Sequence, residues 1–224
     1  LYATVEGVGS ARAIARLTQD HDAYRWIGGG VQVNYHTLSD FRTTHGPALQ
    51  DLFVELLAVL TAQDLVSLER VMQDGTKIRA NAAADSFRRK ERVEQALKQA
   101  REQVAAVDAL GEEETSRRMA KARKRAARER EERLEQALEE FTELSREGKD
   151  KEKSRVSTTD PQARNMKQPD GGFAPSYNVQ IDTDAHSGVV AAVGVVQAGN
   201  DFEQLEPGME RVEQNLGQRP KEVV

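Results

Sequence analysis

Asp74 is the residue of this 224-residue sequence best placed to do chemistry. It follows the alternating segment 68–73, which predicts a β-strand, and the pair Asp74-Gly75 predicts a tight turn. A carboxylate at the end of a strand is well placed to hold a divalent metal ion, and Mg²⁺ prefers such oxygen ligands. On spacing alone, however, a plain hairpin turn is the favoured interpretation of the segment.

A second group of residues could bind phosphate, because residues 117–133 carry nine basic side chains against three acidic ones. Closely spaced cations gain affinity for DNA by releasing its counterions. The alternative is a solvent-exposed helix face that pairs its own charges at i,i+4 spacing. The residues alone do not decide between the two. The basic side chains concerned are Arg117, Arg118, Lys121, Arg123, Lys124, Arg125 and Arg128.

Several kinds of chemistry are excluded. The sequence has no cysteine, which excludes disulfides, zinc-thiolate sites and thiol catalysis and fits a reducing, cytoplasmic location. It has no phosphate-binding glycine loop followed by Lys and Ser or Thr, and its histidines follow no metal-ligand spacing. No apolar run reaches the roughly 18 residues of a membrane span, and no signal peptide is visible, so we expect no membrane partner. The ends of the sequence lead us to expect a piece of a longer protein.

The elements that must position these residues follow from charge and periodicity. Residues 86–155 hold 20 Lys or Arg and 17 Asp or Glu, too many charges to fill a globular core. Apolar residues there follow heptad steps and predict two long helices that form an antiparallel hairpin around Gly111, each arm about 40 Å long. These residues are Val93, Leu97, Ala100, Val104 and Val107, then Leu134, Ala137, Leu138, Phe141 and Leu144 before Gly148.

The N-terminal segment 1–67 is predicted to be helical. Ser10 can cap a first helix, three glycines from Gly28 end a second one, and Thr37 with Asp40 resembles a capping box. Pro47 opens a further helix, in which leucines and Phe53 recur on one broad apolar face. A helix-turn-helix around Arg42 and a small helical bundle are both compatible with this pattern. The bundle is favoured, because the segment has no dense basic face.

The C-terminal segment 156–224 is predicted to be α/β. A strand over 176–182 places Tyr177, Val179 and Ile181 on one face, and a turn over 182–188 leads into a second strand that ends at Val196. A helix from about Phe202 to Leu216 follows, and another strand begins near Glu222. The overall fold class is therefore α+β or α/β.

Three parts of the sequence, taken in order, resemble bacterial insertion-sequence transposases of the DDE superfamily. The segment 73–82, Gln-Asp-Gly-Thr-Lys-Ile-Arg-Ala-Asn-Ala, is similar to their first catalytic-aspartate segment. The segments 160–164, 171–173 and 177–180 are similar to the segments that come next. The stretch Trp26-Ile27 with 36–42, His-Thr-Leu-Ser-Asp-Phe-Arg, resembles their helical N-terminal domain.

The resemblance implies a ribonuclease-H-like catalytic core that cuts and joins transposon DNA ends with Mg²⁺ or Mn²⁺. Its partners would be double-stranded DNA at transposon ends and target, and a homodimer is a compatible assembly. Four domains are implied. Residues 1–67 form a helical and potentially DNA-binding domain, and residues 68–83 form the first core strand with the catalytic aspartate. Residues 84–155 form the charged hairpin insertion, and residues 156–224 form the remainder of a core that is incomplete at its C-terminal end.

Within that resemblance Asp74 is the one catalytic residue and metal ligand that we assign. The second and third carboxylates are expected beyond Val224, so we expect these 224 residues to be inactive by themselves. Asp182 and Asp184 are better explained as turn residues, and Asp160 as a loop residue before a proline. The DNA contacts implied comprise Lys77, Arg79, Arg164 and Lys167 together with the seven basic residues of 117–128 named above.

Two other functions remain compatible with the sequence. A non-enzymatic coiled-coil protein that binds DNA or serves as a scaffold would explain residues 86–155 but not Asp74 and the later strands. A ribonuclease-H-like nuclease without strand transfer would use the same core. The reading frame after Val224 separates the first of these from a transposase.

Overall fold

The computed structural model describes residues 2–109, 117–146, 148 and 153–224, apart from the side chains of residues 117 and 118. The chain has mixed α and β structure, as predicted, and divides into two compact units, Leu1–Leu65 and Val66–Val224. The first unit is helical. The second contains all the described strands and three described α-helices.

Short helices with well-defined ends make up the first unit. Ser10 caps the second helix as predicted, because its Oγ accepts a hydrogen bond from the backbone N–H of Ala13 at 3.3 Å. The fourth helix begins earlier than predicted, because Asn34 rather than Thr37 is its cap and accepts from the N–H of His36 at 2.9 Å. The helices are α1 (Tyr2–Val5), α2 (Ala11–Asp20), α3 (Asp22–Ile27), α4 (Tyr35–Thr44) and α5 (Gly46–Ala62).

Helix α5 begins with Gly46 and Pro47 as predicted, but its apolar face is not buried as a whole. Leu57 is 1% exposed, whereas Leu52 and Leu56 are 50% and 55% exposed. The helix is apolar around most of its circumference, so no single contact can cover all of its leucines. Helices α3 and α4 both contact α2, as in the small bundle that the sequence favours.

A mixed sheet forms the centre of the second unit. Strand β1 pairs antiparallel with β5 along one edge and parallel with β7 along the other. Strands β4 and β6 lie end to end along the far edge of β5, because Ser176 of β5 is opposite both Arg79 of β1 and Arg164 of β4. The strands are β1 (Arg70–Arg79), β2 (Phe87–Arg88), β3 (Val156–Ser157), β4 (Arg164–Lys167), β5 (Phe173–Asp184), β6 (Val190–Val196) and β7 (Glu222–Val223).

The predicted turn at Asp74-Gly75 is wrong, because β1 runs straight through both residues. Nine residue pairs join β1 to β5, with Asp74 opposite Ile181 and Gly75 opposite Gln180. The glycine serves a close approach instead. A Cβ at Gly75 would lie 2.1 Å from the Oδ1 of Asp201 and 2.5 Å from the Nε2 of Gln180.

Strand β5 is longer than predicted at both ends. Asp182 and Asp184 were expected in a turn, but both belong to the strand and their side chains share one face of it. They lie opposite Gln73 and Val71 of β1. The turn begins only at Ala185. The long pairing with β1 extends the strand, because each further pair supplies backbone hydrogen bonds that a turn at Asp182 would lose. Strands β2, β3 and β4 were not predicted.

Helix α8 (Leu205–Leu216) packs on one face of the sheet and leads into β7. It starts three residues later than predicted and ends at Gly217, whose φ of 73° favours glycine. Gly208 allows the helix to approach the sheet closely, since a Cβ there would lie 2.2 Å from the Nε2 of Gln73.

The charged segment forms the predicted antiparallel helical hairpin, with α6 (Lys90–Ala109) and α7 (Arg117–Arg146). At 1.5 Å per residue the helices are about 30 Å and about 45 Å long. Arg101 pairs with Glu135 at 2.7 Å, and Asp108 pairs with Lys124 at 2.6 Å, as antiparallel helices require. The predicted break at Gly111 and start near Glu113 lie outside the described residues. The seam between the helices is formed by Val93, Leu97, Ala100, Leu134, Ala137, Phe141 and Leu144, joined by Val156 of β3.

Replacing Phe141 by alanine tests how much the seam stabilises the hairpin. Phe141 is 4% exposed, and a buried phenylalanine truncated to alanine costs about 3–5 kcal/mol. Met119 on the same helix is 59% exposed, so Met119→Ala should change stability by less than about 0.5 kcal/mol. Urea titration followed by helical circular dichroism measures both. Equal effects of the two substitutions would contradict a hairpin held by this seam.

Candidate active site on the open face of the sheet

Asp74 lies in the middle of β1 with its side chain exposed. Its Oδ1 accepts a hydrogen bond from the backbone N–H of Gly75 at 2.8 Å, which limits rotation of the carboxylate. Side chains alternate between the two faces of a sheet, so Asp74 shares a face with Ile181 and its neighbours. We call this the open face. It comprises Met72, Asp74, Thr76 and Ile78 of β1, Tyr177, Val179, Ile181 and Thr183 of β5, and Val193 and Val195 of β6.

The open face is largely apolar and solvent-accessible in the described chain. Ile78 is 53% exposed, and Val193 and Val195 are 50% and 64% exposed. Asp74 is the one carboxylate among the open-face residues just named. A phosphate or metal ion can therefore reach it, and no described acidic side chain shares its strand pairs.

The opposite face lies beneath α8, and we call it the covered face. It carries Asp182 and Asp184, which are 1% and 0% exposed. Because residues two apart on β5 share a face, neither carboxylate can point toward Asp74 on the other side of the sheet. The interpretation of both as structural residues stands, although they lie in a strand rather than in a turn.

Asp182 is buried beside α8. Its burial raises the pKa of its carboxyl above the ordinary value, since a charge is poorly solvated there. The Nη2 of Arg211 lies 3.5 Å from the Oδ2 of Asp182. This positive charge and a hydrogen bond with Gln73 lower the pKa of Asp182, but they do not cancel the effect of burial.

Asp184 has the opposite balance. Burial acts to raise its pKa, but the hydrogen bonds it accepts outweigh burial and hold the pKa below the ordinary value. Its Oδ2 accepts from the hydroxyl of Ser187 at 2.6 Å and from that residue's N–H at 3.0 Å. Its Oδ1 accepts from the hydroxyl of Ser67 at 3.1 Å and the N–H of Leu68 at 3.2 Å. The carboxylate thereby ties the segment before β1 to the turn after β5.

A carboxylate that the sequence analysis did not single out, Asp201, also faces the covered side. Its Oδ1 accepts from the Nδ2 of Asn178 at 2.8 Å and from the Nε2 of Gln180 at 2.5 Å. The sequence does indicate a polar face on β5, because every second residue from Ser176 to Asp184 is polar. That alternation was interpreted only for the apolar face.

Asp160 is engaged with Tyr177 rather than with Asp74. The hydroxyl of Tyr177 donates to the Oδ1 of Asp160, and burial followed by this hydrogen bond raises the pKa of the tyrosine. Tyr177 lies four residues along β5 from Ile181, the partner of Asp74, which is about 13 Å at 3.3 Å per residue. Asp160 is therefore not a second ligand beside Asp74.

The four basic residues proposed around the core do not gather at Asp74. Lys77 and Arg79 alternate onto the other face, and Arg79 pairs with Asp170 at 3.5 Å. Arg164 forms an ion pair with Glu140 in which the side chains are only 11% and 14% exposed, so a DNA contact by Arg164 would have to compete with this pair. Lys167, at the end of β4, is exposed.

The basic side chains near the tip of the hairpin are partly neutralised within it. Lys124 and Arg128 both pair with Asp108, at 2.6 Å and 3.4 Å, and Arg125 pairs with Glu129 at 3.3 Å. Of these pairs, Arg125–Glu129 has the i,i+4 spacing of the self-pairing alternative, whereas the two pairs with Asp108 join α7 to α6. Lys121 and Arg123 are exposed, and the side chains of Arg117 and Arg118 lie outside the described residues.

The metal site implied by the resemblance is only partly represented. A carboxylate on a rigid strand suits Mg²⁺, so Asp74 fits such an ion as one ligand. Within the described ranges, no group of three or more His, Cys, Asp or Glu side chains could hold a metal ion. The present residues therefore supply one ligand and not a complete site.

A comparison of the chain with models of known protein families found no match, and neither did searches of curated proteins and of solved structures. Among the helices that the structure describes, none is both long enough and apolar enough to cross a membrane.

Replacing Asp184 by asparagine tests its role in the fold. The amide cannot accept all four hydrogen bonds, so we expect a loss of about 1–3 kcal/mol at neutral pH. The folded-state pKa lies below the unfolded value near 3.9, so the wild-type advantage is present above that value and is lost as the pH falls through the folded pKa. Urea unfolding between pH 3 and pH 7 should show the deficit of Asp184→Asn shrinking below about pH 4.

Asp182→Asn provides the matched comparison, because the pKa of Asp182 is raised. The contribution of Asp182 is greatest below about pH 3.9 and is lost as the pH rises through its folded pKa. The variant should therefore gain on the wild type as the pH rises, opposite to Asp184→Asn. Parallel pH profiles for the two variants would contradict the different environments described above.

Proposed function

We propose that the chain is part of a DNA transposase of the DDE superfamily. In this proposal the second unit is a ribonuclease-H-like core, and the protein cleaves transposon ends and transfers the strands to a target with Mg²⁺ or Mn²⁺. The partner is double-stranded DNA, a homodimer is the assembly proposed, and the location is the bacterial cytoplasm. The proposal begins from the sequence resemblance at 73–82 and is supported by three features of the structure.

The strand order is the first support. The three successive core strands β1, β5 and β6 are antiparallel neighbours, and β7 joins β1 in parallel after a helical crossover through α8. A ribonuclease-H-like core requires such a sheet, with its first strand in the centre. The hairpin α6–α7 interrupts the chain between β1 and β5, where it can project without disturbing that order.

The position of Asp74 is the observation that carries the proposal. It lies on the central strand with β5 on one side and β7 on the other, and its face is accessible. The parallel register sets Arg70 opposite Glu222 and Val71 opposite Val223. In a longer protein whose β7 continued in this register, the second residue after Val224 would lie opposite Asp74. An acidic residue there would place two carboxylates side by side on the open face.

The rigid placement of Asp74 is the third support. A side chain on the interior of a paired strand is held more accurately than one on a loop, and catalytic groups need positions fixed to about 0.5 Å. A divalent cation, when bound, stabilises negative charge on the phosphate oxygens. The protein's own contribution at this point is to hold one carboxylate, whose Oδ1 is fixed by the N–H of Gly75.

A second function is favoured by one observation, the isolation of Asp74 from other described carboxylates. A coiled-coil scaffold that binds DNA without cutting it needs no metal site. It would bind DNA equally well with and without Mg²⁺, and the longer protein would not cleave. A nuclease without strand transfer would cleave but leave no joined product.

The test of the proposal is Asp74→Asn in the full-length protein. We expect loss of Mg²⁺-dependent cleavage of transposon-end DNA, while DNA affinity stays within a few-fold, because metal chemistry and phosphate contacts are separate. The 224 residues alone should leave the DNA uncut.

Asp64→Asn is the matched control, since Asp64 is exposed and its φ of 56° is one that asparagine also adopts. Cleavage and joined products are counted on a sequencing gel. Cleavage that survives Asp74→Asn would refute the assignment of Asp74 as a metal ligand. If the wild-type full-length protein binds DNA but leaves it uncut, the scaffold function is favoured.

A further inference from the structure

Four arginines without an ion-pair partner in the described part of the chain lie together toward the root of the hairpin. Arg88 of β2, Arg92 of α6 and Arg130 and Arg133 of α7 line one groove of about 480 Å³. We call it the root groove. Thr158 and Thr159, which follow β3, complete the wall with hydroxyl groups.

The charges of the root groove are not neutralised. None of the described residues that line it is acidic. Arg88, Arg92 and Arg133 form no ion pair within the described part of the chain, and Arg130 donates only to the neutral amide oxygen of Gln103, at 3.3 Å. All four arginines are exposed.

The tip of the hairpin differs, although it is richer in basic residues. Lys124 and Arg128 share Asp108, and Arg125 is held by Glu129. We call Lys124, Arg125 and Arg128 the tip cluster. A phosphate that bound there would have to compete with these carboxylates, whereas a phosphate at the root groove would relieve repulsion among like charges.

The root groove is built on rigid elements. Arg88 is fixed by the pairing of β2 with β3, where it lies opposite Val156, and Val156 is part of the hairpin seam. The hydroxyls of Ser86 and Ser157 are 2.8 Å apart and join the same corner. The arginines therefore come from three elements packed together, an arrangement that can meet a ligand without a large ordering cost.

The positive surface continues beyond the groove. Arg88 and Arg92 also line a neighbouring cavity of about 290 Å³ together with Arg89 and Arg155. Glu91 is the one acidic residue among the described lining of this second cavity. The arginines thus extend over two adjoining cavities, which suits an extended polyanion better than a single small ion.

From these observations we infer that the root groove binds the phosphodiester backbone of duplex DNA. The guanidinium group presents a planar fork of donors that matches phosphate oxygens, and the threonine hydroxyls can donate as well. The inference rests on the proposed function for the presence of DNA, but it assigns the phosphate contacts to arginines that the sequence analysis did not select.

The test compares two triple variants with equal changes in charge. Arg88→Gln, Arg92→Gln and Arg133→Gln form the root variant, and Lys124→Gln, Arg125→Gln and Arg128→Gln form the tip variant. Affinity for a fluorescent DNA duplex is measured by anisotropy between 50 and 200 mM NaCl with the 224-residue chain. The slope of log affinity against log salt should fall by about 0.9 for each lost phosphate contact in the root variant. It should stay within about 0.5 of wild type in the tip variant.

A charge-retaining variant separates lost charge from lost structure. Arg88→Lys, Arg92→Lys and Arg133→Lys should keep the wild-type slope, because the number of cations at the groove is unchanged. Loss of the slope in this variant too would show that the geometry of the fold was damaged, and the groove assignment would fail. Circular dichroism and thermal unfolding are recorded for every variant.

The remaining outcomes distinguish the two proposals. If the wild-type protein binds duplex DNA and the root variant shows the same salt slope, the assignment of the root groove alone is overturned. Wild-type protein that fails to bind duplex DNA overturns the DNA partner of the proposed function as well. Inorganic tripolyphosphate is titrated in parallel by calorimetry. If the wild-type protein binds it, the root variant does not, and neither binds DNA, the ligand is a small phosphate and the assignment of duplex DNA is refuted.

Discussion

The antiparallel register between β1 and β5 is the constraint on which the rest of the second unit depends. It sets Asp74 opposite Ile181 and thereby decides which residues share its face. A shift by one residue would move every side chain of β1 to the other side of the sheet. Asp74 would then point toward α8, and the space that Gly75 leaves for Asp201 would be lost. The accessible carboxylate and the buried polar face are two results of one pairing.

The buried polar face shows how that register is maintained. Asp184 accepts four hydrogen bonds and connects the entry to β1 with the exit from β5. Buried polar groups with partners specify a unique arrangement, because any other register would leave them without hydrogen bonds. The apolar residues of the open face impose no such penalty, since they are exposed to a large extent.

In the hairpin, ion pairing decides which basic side chains are available to bind a ligand. Residues 117–128 near the tip include seven basic residues, yet Asp108 alone engages two of these cations. The root groove is lined by Arg88 and Arg92, which are close in sequence, and by Arg130 and Arg133 of α7, which the folded hairpin brings beside them. Charge available for a ligand is a property of the packed helices, and counting along the sequence does not measure it.

Local patterns predicted much of the fold. The caps and glycines around α2 and α3, the heptad seam of the hairpin and the alternation at Tyr177 were all visible as short-range signals. The turn at Asp74-Gly75 was wrong because a glycine needed for close packing gives the same local signal as one needed for a turn. Strand β2 pairs with β3, which is distant in the sequence, so short-range patterns could not reveal either strand. Strand β4 pairs with the start of β5 across the short segment 168–172, and the sequence analysis did not recognise this hairpin.

The same reasoning applies to the candidate site. Asp74 was selected from the sequence, and the structure adds that it is exposed on a central strand. Arg130 and Arg133 belong to the basic segment 117–133 identified from the sequence, but Arg88 and Arg92 were not considered. The folded hairpin and the pairing of Arg88 with Val156 bring these two beside α7. The ion pair of Arg164 with Glu140 was not predicted, because it depends on a contact between α7 and the residues before β5.

The position of the metal ion in the full-length protein tests the central claim most directly. Fe²⁺ can replace Mg²⁺, and with ascorbate and peroxide it produces hydroxyl radicals that cut the polypeptide close to the bound ion. We expect cuts in β1 around Asp74 and in β5 around Ile181, and we expect both to disappear in Asp74→Asn. Cuts centred on Asp160 or Asp201, or an unchanged pattern in Asp74→Asn, would contradict a metal site on the open face of the sheet.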